Sequence, residues 1–238
     1  ADLTLTVTGP FAQGVPVDHT NLMMRAAEVL RTARGVTAGA AMTLDKNLPH
    51  AAGIGSGSSD AAATLRMLAA LWDVDPLPAT APEVLALGAD VPVCMSAPNA
   101  VRMSGIGEVL APVPALPAGA LVLVRPPVDV PTGAVFNGLA TKQGTPMSIV
   151  PEGMDFVNFA AWLAVQRNDL QPSAKRIAPQ IATTIAAFDA LPDVAFAGMS
   201  GSGATCFGLV QDLVAARRVA AVMQSAHPGW WIAATGMR

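Results

Sequence analysis

The sequence predicts an α+β protein of two lobes. Three observations carry that prediction. Short strand-like runs and amphipathic helical runs alternate along the chain. Prolines cluster at Pro112, Pro114 and Pro117 just ahead of a strand-like run, which puts a lobe boundary near Ala111. The 238 residues suffice for two lobes of roughly 100 residues each. The lobes are therefore expected over residues 1–110 and 111–238. With 52% hydrophobic and only 13% charged residues, a disordered chain, a charged coiled coil and a collagen-like repeat are all excluded.

The elements read as follows. Residues 3–7, Leu-Thr-Leu-Thr-Val, alternate as a strand does and run into a Gly9-Pro10 turn. Asn21 is placed to cap a helix whose apolar positions Leu22, Ala26, Val29, Leu30 and Ala33 share one face, and Gly35 stops it. Residues 40–44 form a short buried strand. The segment Gly53-Ile54-Gly55-Ser56-Gly57-Ser58-Ser59 suits neither strand nor helix, and residues 60–72 follow it with Ala61, Leu65, Leu68, Ala69 and Trp72 at helical spacing. In the second lobe, residues 121–124 are a strand and residues 156–165 and 177–191 are helices. Residues 194–197 and 206–210 are strands around a second Gly/Ser turn, and residues 214–224 close as a helix.

Several functional classes drop out on composition. Two cysteines, Cys94 and Cys206, in no C-x-x-C or zinc spacing, read as free thiols in a reducing, cytoplasmic setting. Fourteen basic against seventeen acidic residues, no Lys/Arg run and no tyrosine make nucleic acid a poor partner. Mean hydropathy is +0.46, but the longest uncharged stretches are broken by Gly198, Gly201 and Gly203 and by His227-Pro228-Gly229, so no membrane span is expected. The first residue is Ala1, with no basic or apolar leader after it, and the sequence is expected to open inside a domain.

The glycine–serine segment is the place to look for chemistry. At a helix start it presents free backbone N–H groups to an anion, and the helix dipole adds roughly half a positive charge. Glycines let the backbone approach phosphate oxygens, while Ser56, Ser58 and Ser59 add hydroxyl donors or a magnesium ligand. It is not a Walker A loop, since no lysine follows Gly57, nor a dinucleotide fingerprint, since its glycines run G-x-G-x-G. A flexible turn that binds nothing is the competing reading.

Three separated segments together resemble the signature of the GHMP kinase superfamily. They are Lys46-Asn47-Leu48-Pro49-His50-Ala51-Ala52-Gly53-Ile54-Gly55-Ser56-Gly57-Ser58-Ser59-Asp60-Ala61-Ala62, Gly88-Ala89-Asp90-Val91-Pro92, and Met199-Ser200-Gly201-Ser202-Gly203-Ala204. Asn168-Asp169-Leu170 and the helix after Asn21 also fit. The resemblance runs the length of the chain in order. Its K-x-L-P lead and triple glycine are nearest to the branch that phosphorylates the 2-hydroxyl of a cytidine diphosphate-linked methylerythritol in non-mevalonate isoprenoid synthesis. It implies a two-lobed fold, ribosomal protein S5 domain 2-like in the N-terminal lobe and ferredoxin-like in the C-terminal lobe. Ser56 departs from the pattern by standing where that branch has another glycine. The first motif of the family, which carries a lysine beside the catalytic aspartate and a Tyr-His pair on the cytidine ring, has no counterpart in these residues: Lys46, Lys142 and Lys175 lie elsewhere. The 238 residues alone are accordingly expected to be inactive.

The resemblance also assigns roles. Asp90 is the expected general base for phosphoryl transfer, with a helix N-cap as the alternative. Asn21, Lys46, Pro49, Gly53, Gly55, Ser56, Gly57, Ser58 and Ser59 are expected on ATP, although a helix cap and a solvated lysine are the plainer readings of Asn21 and Lys46. Thr132, Phe136, Gly201, Ser202 and Gly203 are expected on the substrate side, Phe136 by stacking on cytosine unless it is a core residue. Asp60 is assigned to the first helical turn. Magnesium (Mg2+) is expected with ATP, its ligands undetermined, and the protein is expected as a monomer or homodimer. His50, Cys94, Cys206, Met199 and the Trp230-Trp231 pair have no metal-partner spacing: His50 is expected beside the loop and the others as core. The alternatives are a kinase of the same superfamily for another small alcohol, or a nucleotide-binding relative without catalysis.

Overall fold

The computed structural model describes residues 2–50, 52–141 and 144–237. Ala51 and Lys142 of the motifs and lysines above lie outside the described residues. Two compact units emerge: unit 1 comprises Ala1–His50 with Gly55–Val113, and unit 2 comprises Ala51–Ile54 with Pro114–Arg238. Apart from the short inner segment, the chain passes from unit 1 to unit 2 between Val113 and Pro114.

Unit 1 opens with β1 (Leu3–Thr8), paired in parallel with β2 (Ala40–Asp45) from Leu3 opposite Ala40 to Thr8 opposite Asp45. Parallel neighbours need a crossover, and α1 (Leu22–Arg34) provides it. The Asn21 side chain caps α1 by accepting from the Met23 N–H at 2.8 Å, and Gly35, at φ 63°, ends it in the left-handed turn that glycine takes without penalty. Ala26, Ala27 and Leu30 are fully buried and meet Ala61, Ala62, Leu65 and Leu68 of α2 (Ser56–Leu71). The small side chains allow a close helix–helix approach, and truncating Leu30 or Leu65 to Ala costs about 2–5 kcal/mol. Val84 and Leu87 of α3 (Pro82–Leu87) and Val91 of α4 (Val91–Met95) complete this core. A hairpin of β3 (Val101–Ser104) and β4 (Val109–Pro112) follows.

Unit 2 is built on an antiparallel sheet of order β6-β7-β5-β8. Its strands are β5 (Ala120–Arg125), β6 (Val194–Met199), β7 (Cys206–Val210) and β8 (Trp231–Gly236). Ala120, Val122 and Val124 alternate onto one face. There they share a core with Ile181, Ile185 and Phe188 of α8 (Gln180–Asp189) and Ala216, Val219 and Met223 of α9 (Leu213–Ala226). Leu121, Phe196 and Leu209 serve the other face with Phe156 and Phe159 of α6 (Phe156–Ala164). Two short helices, α5 (Thr132–Asn137) and α7 (Gln171–Ile177), lie in the connections. A Cβ on Gly138, which ends α5, would sit 2.1 Å from Ser173 Oγ of α7, so the close approach of α5 and α7 there would require the Ser173 hydroxyl to turn aside.

The helix expected over residues 177–191 begins later, as α8 at Gln180, and Ile177 is instead the last residue of α7. Pro179 lacks the N–H a helix interior needs and disfavours helical backbone at Ala178, whose φ −133° and ψ 88° end α7. Among the described residues no helix is long and apolar enough to cross a membrane.

Candidate active site

The glycine–serine segment is not a loop throughout. Gly55, at φ 65°, is the N-cap of α2, and Ser56, Gly57 and Ser58 are already its first turn, with Ser59 N–H bonded to Gly55 O at 2.9 Å. The N–H groups of Ser56, Gly57 and Ser58 therefore precede the first intrahelical partner and point out of the helix end. Gly55 has no side chain with which to cap them, and a Cβ on Gly57 would meet nothing within 4 Å. The result is an open anion-binding turn. The Ser56 hydroxyl does not face it: buried, Ser56 donates through Oγ to the carbonyl of Pro49 at 3.2 Å, which corrects the expectation of a free hydroxyl there. The Ser56 side chain thereby ties the helix start to the segment leading into it.

Asp90 faces this turn. Its Oδ2 is 3.9 Å from the position a Cβ on Gly55 would occupy, and its side chain makes no capping bond to α4 although the residue stands at the N-cap position. Asp90 is exposed. Its backbone is fixed from two sides: Val91 N–H donates to Gly88 O, and Gly107 of the β3–β4 hairpin, at φ 117°, approaches so closely that a Cβ there would lie 2.3 Å from Ala89 O. The thiol of Cys94, one turn on, is pushed up first by burial, then by the negative charge of Asp90, with a smaller opposing pull from Arg66 and a further push from Asp60. Two carboxylates thus act on the same small region.

Asp60 is not in the first turn, because α2 begins at Ser56. It pairs with Lys46, whose ammonium Nζ is buried against Asp60 Oδ2. Lys46 is therefore not the solvated lysine of the plainer reading. Its backbone is held as well, its N–H donating to Thr8 O at 2.7 Å and its carbonyl accepting from Phe11 N–H. Asn21 is a helix cap, its carbonyl oxygen on Met23 N–H and its amide donating to Pro16 O at 2.6 Å.

Gly53 groups with unit 2. Ser200 Oγ donates to Gly53 O at 2.8 Å, Thr205 N–H donates to Ala52 O at 3.2 Å, and Ser200 N–H donates to Thr205 O at 2.9 Å. Gly53, at φ 73°, has no room for a Cβ, which would lie 2.5 Å from Gly203 O. Gly201 and Gly203 also have positive φ, and Asn168 Nδ2, just ahead of α7, donates to the carbonyls of Met199 and Gly201 at 3.0 and 2.8 Å, bracing the turn. Thr132 Oγ1 and Ser202 Oγ lie 3.0 Å apart, so the two hydroxyls expected on the substrate side touch each other. Phe136 on α5 is 49% exposed, which removes the core alternative. Thr205 and Gly107 were not singled out by the sequence, and Ser200 only as a member of the third motif, with no role assigned. Only the Gly/Ser richness around Ser200 and Thr205 hinted at their part.

His50 is exposed, Met199 and Cys206 are buried core, Cys94 is half-buried, and Trp230 packs on the sheet core with its ring stacked on His227 at 3.7 Å. Burial pushes the Cys206 thiol up to about 12 against a smaller pull from Lys175. Among the described residues no group of three or more His, Cys, Asp or Glu could hold a metal ion.

An open helix-start turn faced by an uncommitted carboxylate is the equipment of a protein that handles phosphate groups. Residues 21–100 match the model of the GHMP kinases N terminal domain and residues 153–229 that of the GHMP kinases C terminal, and the chain belongs to the GHMP kinase family. Among curated relatives, the 4-diphosphocytidyl-2-C-methyl-D-erythritol kinase of Cereibacter sphaeroides is 52% identical over 237 residues, 99% of this chain and 82% of that protein. The enzyme of the same name from Dinoroseobacter shibae is 48% identical over 239 residues, covering 100% of this chain and 80% of its own. A crystal structure of 4-(cytidine 5'-diphospho)-2C-methyl-D-erythritol kinase superposes with TM-score 0.75 at 30% identity, over 99% of this chain and 83% of that one. Homoserine kinase from Cytophaga hutchinsonii shares the fold, with TM-score 0.72 at 16% identity over 100% of this chain and 83% of its own.

Proposed function

We propose that this chain is the ATP-dependent kinase that transfers the γ-phosphoryl group of ATP to the 2-hydroxyl of 4-diphosphocytidyl-2-C-methyl-D-erythritol, a step in non-mevalonate isoprenoid precursor synthesis. Relatives about 50% identical over nearly the whole chain carry that name. The observation that carries the residue-level reading is the carboxylate of Asp90 standing over Gly55 at the open N-terminus of α2. Phosphoryl transfer asks the protein mainly for position and charge. The N–H groups of Ser56, Gly57 and Ser58 cradle the phosphates, with the Gly55 backbone close beneath them. Asp90, with no hydrogen-bond partner among the described residues, takes the proton of the attacking hydroxyl.

Magnesium binds through one or two protein oxygens plus substrate phosphates. The site fits that mode: the hydroxyls of Ser58 and Ser59 and the Asp90 carboxylate are its available oxygens, Asp60 being committed to Lys46. A bound magnesium ion supplies charge neutralisation at the phosphate oxygens. On the substrate side Phe136 offers an exposed ring to the cytosine, and Thr132 and Ser202 offer paired hydroxyls. Lys46 supports the ATP site through its ion pair with Asp60 of α2 and Pro49 through the carbonyl that accepts from Ser56 Oγ, while the Asn21 side chain stays with the helix it caps.

The test is a coupled ADP-release assay on the full-length protein with a panel of alcohols, together with Asp90→Asn. Turnover confined to the cytidine substrate is expected, with kcat of the variant lower by roughly 10² to 10⁴ and ATP binding intact. Turnover of another small alcohol instead removes the substrate assignment, and a variant within threefold of the parent removes Asp90 as base.

A further inference from the structure

We infer that unit 2 carries a second ligand site, on the outer face of its sheet, for a small aromatic carboxylate. None of the residues placed above on ATP or on the cytidine substrate lines it, and the inference does not depend on that assignment.

The site is a cavity of about 650 Å³, a size that suits a small organic ligand. Helix α6 covers one end of the outer sheet face through Phe156 and Phe159 and stops at Ala164, and α7 does not begin until Gln171. The cavity lies between those two helix ends, with β6 and β7 as its floor. Alternate residues of a strand share a face, so Phe196 and Gly198 of β6 point the same way, and Phe207 of β7 stands opposite Gly198. The two rings, both partly buried, have centroids 5.8 Å apart and planes tilted by 52°. A Cβ on Gly198 would lie 3.2 Å from the Phe196 ring and 3.4 Å from the Phe207 ring, so the side chain that glycine lacks is what leaves the floor open. A flat aromatic body suits such a floor, because aromatic rings gain from offset and edge-to-face contacts beyond the area they bury.

The walls decide the charge. Asn168 is spent on the carbonyls of Met199 and Gly201 and on the Leu170 N–H, and Gln171 Oε1 accepts from the Met199 N–H. Arg167 and Asp169 pair with each other at 2.9 Å. Arg176 differs: its Nη2 donates to Gly138 O at 2.8 Å, and among the described residues no carboxylate pairs with it. That one bond fixes the guanidinium at the rim and leaves the rest of its planar fork free, and such a fork takes a carboxylate through two parallel hydrogen bonds. One uncancelled cation over an aromatic floor matches a singly charged aromatic acid and disfavours a cation or a neutral hydrocarbon.

The experiment titrates 2-naphthoate, and 2-naphthamide as its uncharged counterpart, into the full-length protein by calorimetry, with and without saturating ADP and cytidine substrate. One site is expected in both conditions, with naphthoate favoured over naphthamide by roughly tenfold, the size of a charged hydrogen bond. Arg176→Met is expected to bring the two ligands within about twofold of each other by removing that bond alone. Gly198→Val fills the floor and is expected to abolish binding of both while kcat is unaltered. Arg176 is exposed, so its replacement still reads the site if Gly198→Val fails to fold. No binding at millimolar ligand, equal affinity of the two ligands in the parent, parent-like binding in either folded variant, or loss of the site when ADP and the cytidine substrate are present overturns the inference.

Discussion

Lys46 and Asp60 hold each other in the interior of unit 1, the lysine side chain 5% and the aspartate side chain 24% exposed. Neither charge suits that environment alone. Asp60→Ala strands the Lys46 ammonium away from water, and a broken buried pair costs about 3–5 kcal/mol. The lower end is expected here, because Asp60 retains some solvent. The double change Lys46→Met with Asp60→Leu removes both charges and is expected to recover most of the loss. Urea unfolding of the parent and the two variants checks this, and a double variant no better than the single one would mean that the pair does more than cancel charge.

Phe136 is the easiest of the proposed substrate contacts to isolate, since its exposed ring contributes little to the core. Phe136→Ala is expected to move the Tm by less than a typical core truncation, which costs about 3–5 kcal/mol. Binding of the cytidine substrate is expected to weaken by roughly 1–3 kcal/mol with ATP affinity unchanged. Calorimetry with each ligand separately decides it.

Gly107 reaches across from the β3–β4 hairpin to the residue preceding Asp90. Gly107→Ala forces a methyl group into the Ala89 carbonyl and asks alanine to adopt φ 117°. Strain at such a position is of order 1–3 kcal/mol. Because the displaced peptide carries Asp90, kcat is expected to fall more steeply than stability. A variant with lowered Tm and unaltered kcat would show that the Asp90 turn holds without the hairpin.

Cys206 links burial to pH. Its thiol is raised from the ordinary 9.0 to about 12 in the folded chain. Between those values the unfolded thiol releases its proton and the folded one keeps it, so the unfolded state gains. The contribution of Cys206 is complete below pH 9 and drains away as the pH rises toward 12, at up to about 1.4 kcal/mol per pH unit. Cys206→Ala is expected to flatten that part of the stability–pH curve. An identical slope in the two proteins would assign the alkaline loss to other groups.

Much of unit 1 was legible because its signals are local. Asn21 and Gly35 mark both ends of α1 by their own chemistry, and the Leu22, Ala26, Leu30 face is periodic. The start of α2 was not legible. Three serines and a glycine are weak helix formers, and only the tertiary setting, including the Ser56–Pro49 bond, makes Ser56 the first helical residue. Misplacing that start hid the Lys46–Asp60 pair, since Asp60 moves a full turn along the helix. Short elements such as β3 and β4, four residues each with several positions exposed, give too little periodicity to read. In the site, motif spacing pointed to Asp90 and the glycines. The hydroxyl of Ser200 and the clearance at Gly107 are facts of distant chain contact, which spacing does not encode.

Ala52, Gly53 and Ile54 group with unit 2 although residues up to His50 and from Gly55 on group with unit 1. The boundary is therefore crossed three times, and no single cut yields two self-sufficient pieces. A polypeptide ending at Val113 would carry Ala52 and Gly53 carbonyls whose donors, Thr205 and Ser200, have been left behind. A polypeptide starting at Pro114 would lack the carbonyls those donors serve. For inheritance, this means that the halves cannot be recombined among relatives as freely exchangeable modules: a new C-terminal half must bring a turn that fits the old Gly53. Chimaeras joined at residue 113 should succeed only between parents whose two glycine-rich segments have changed together.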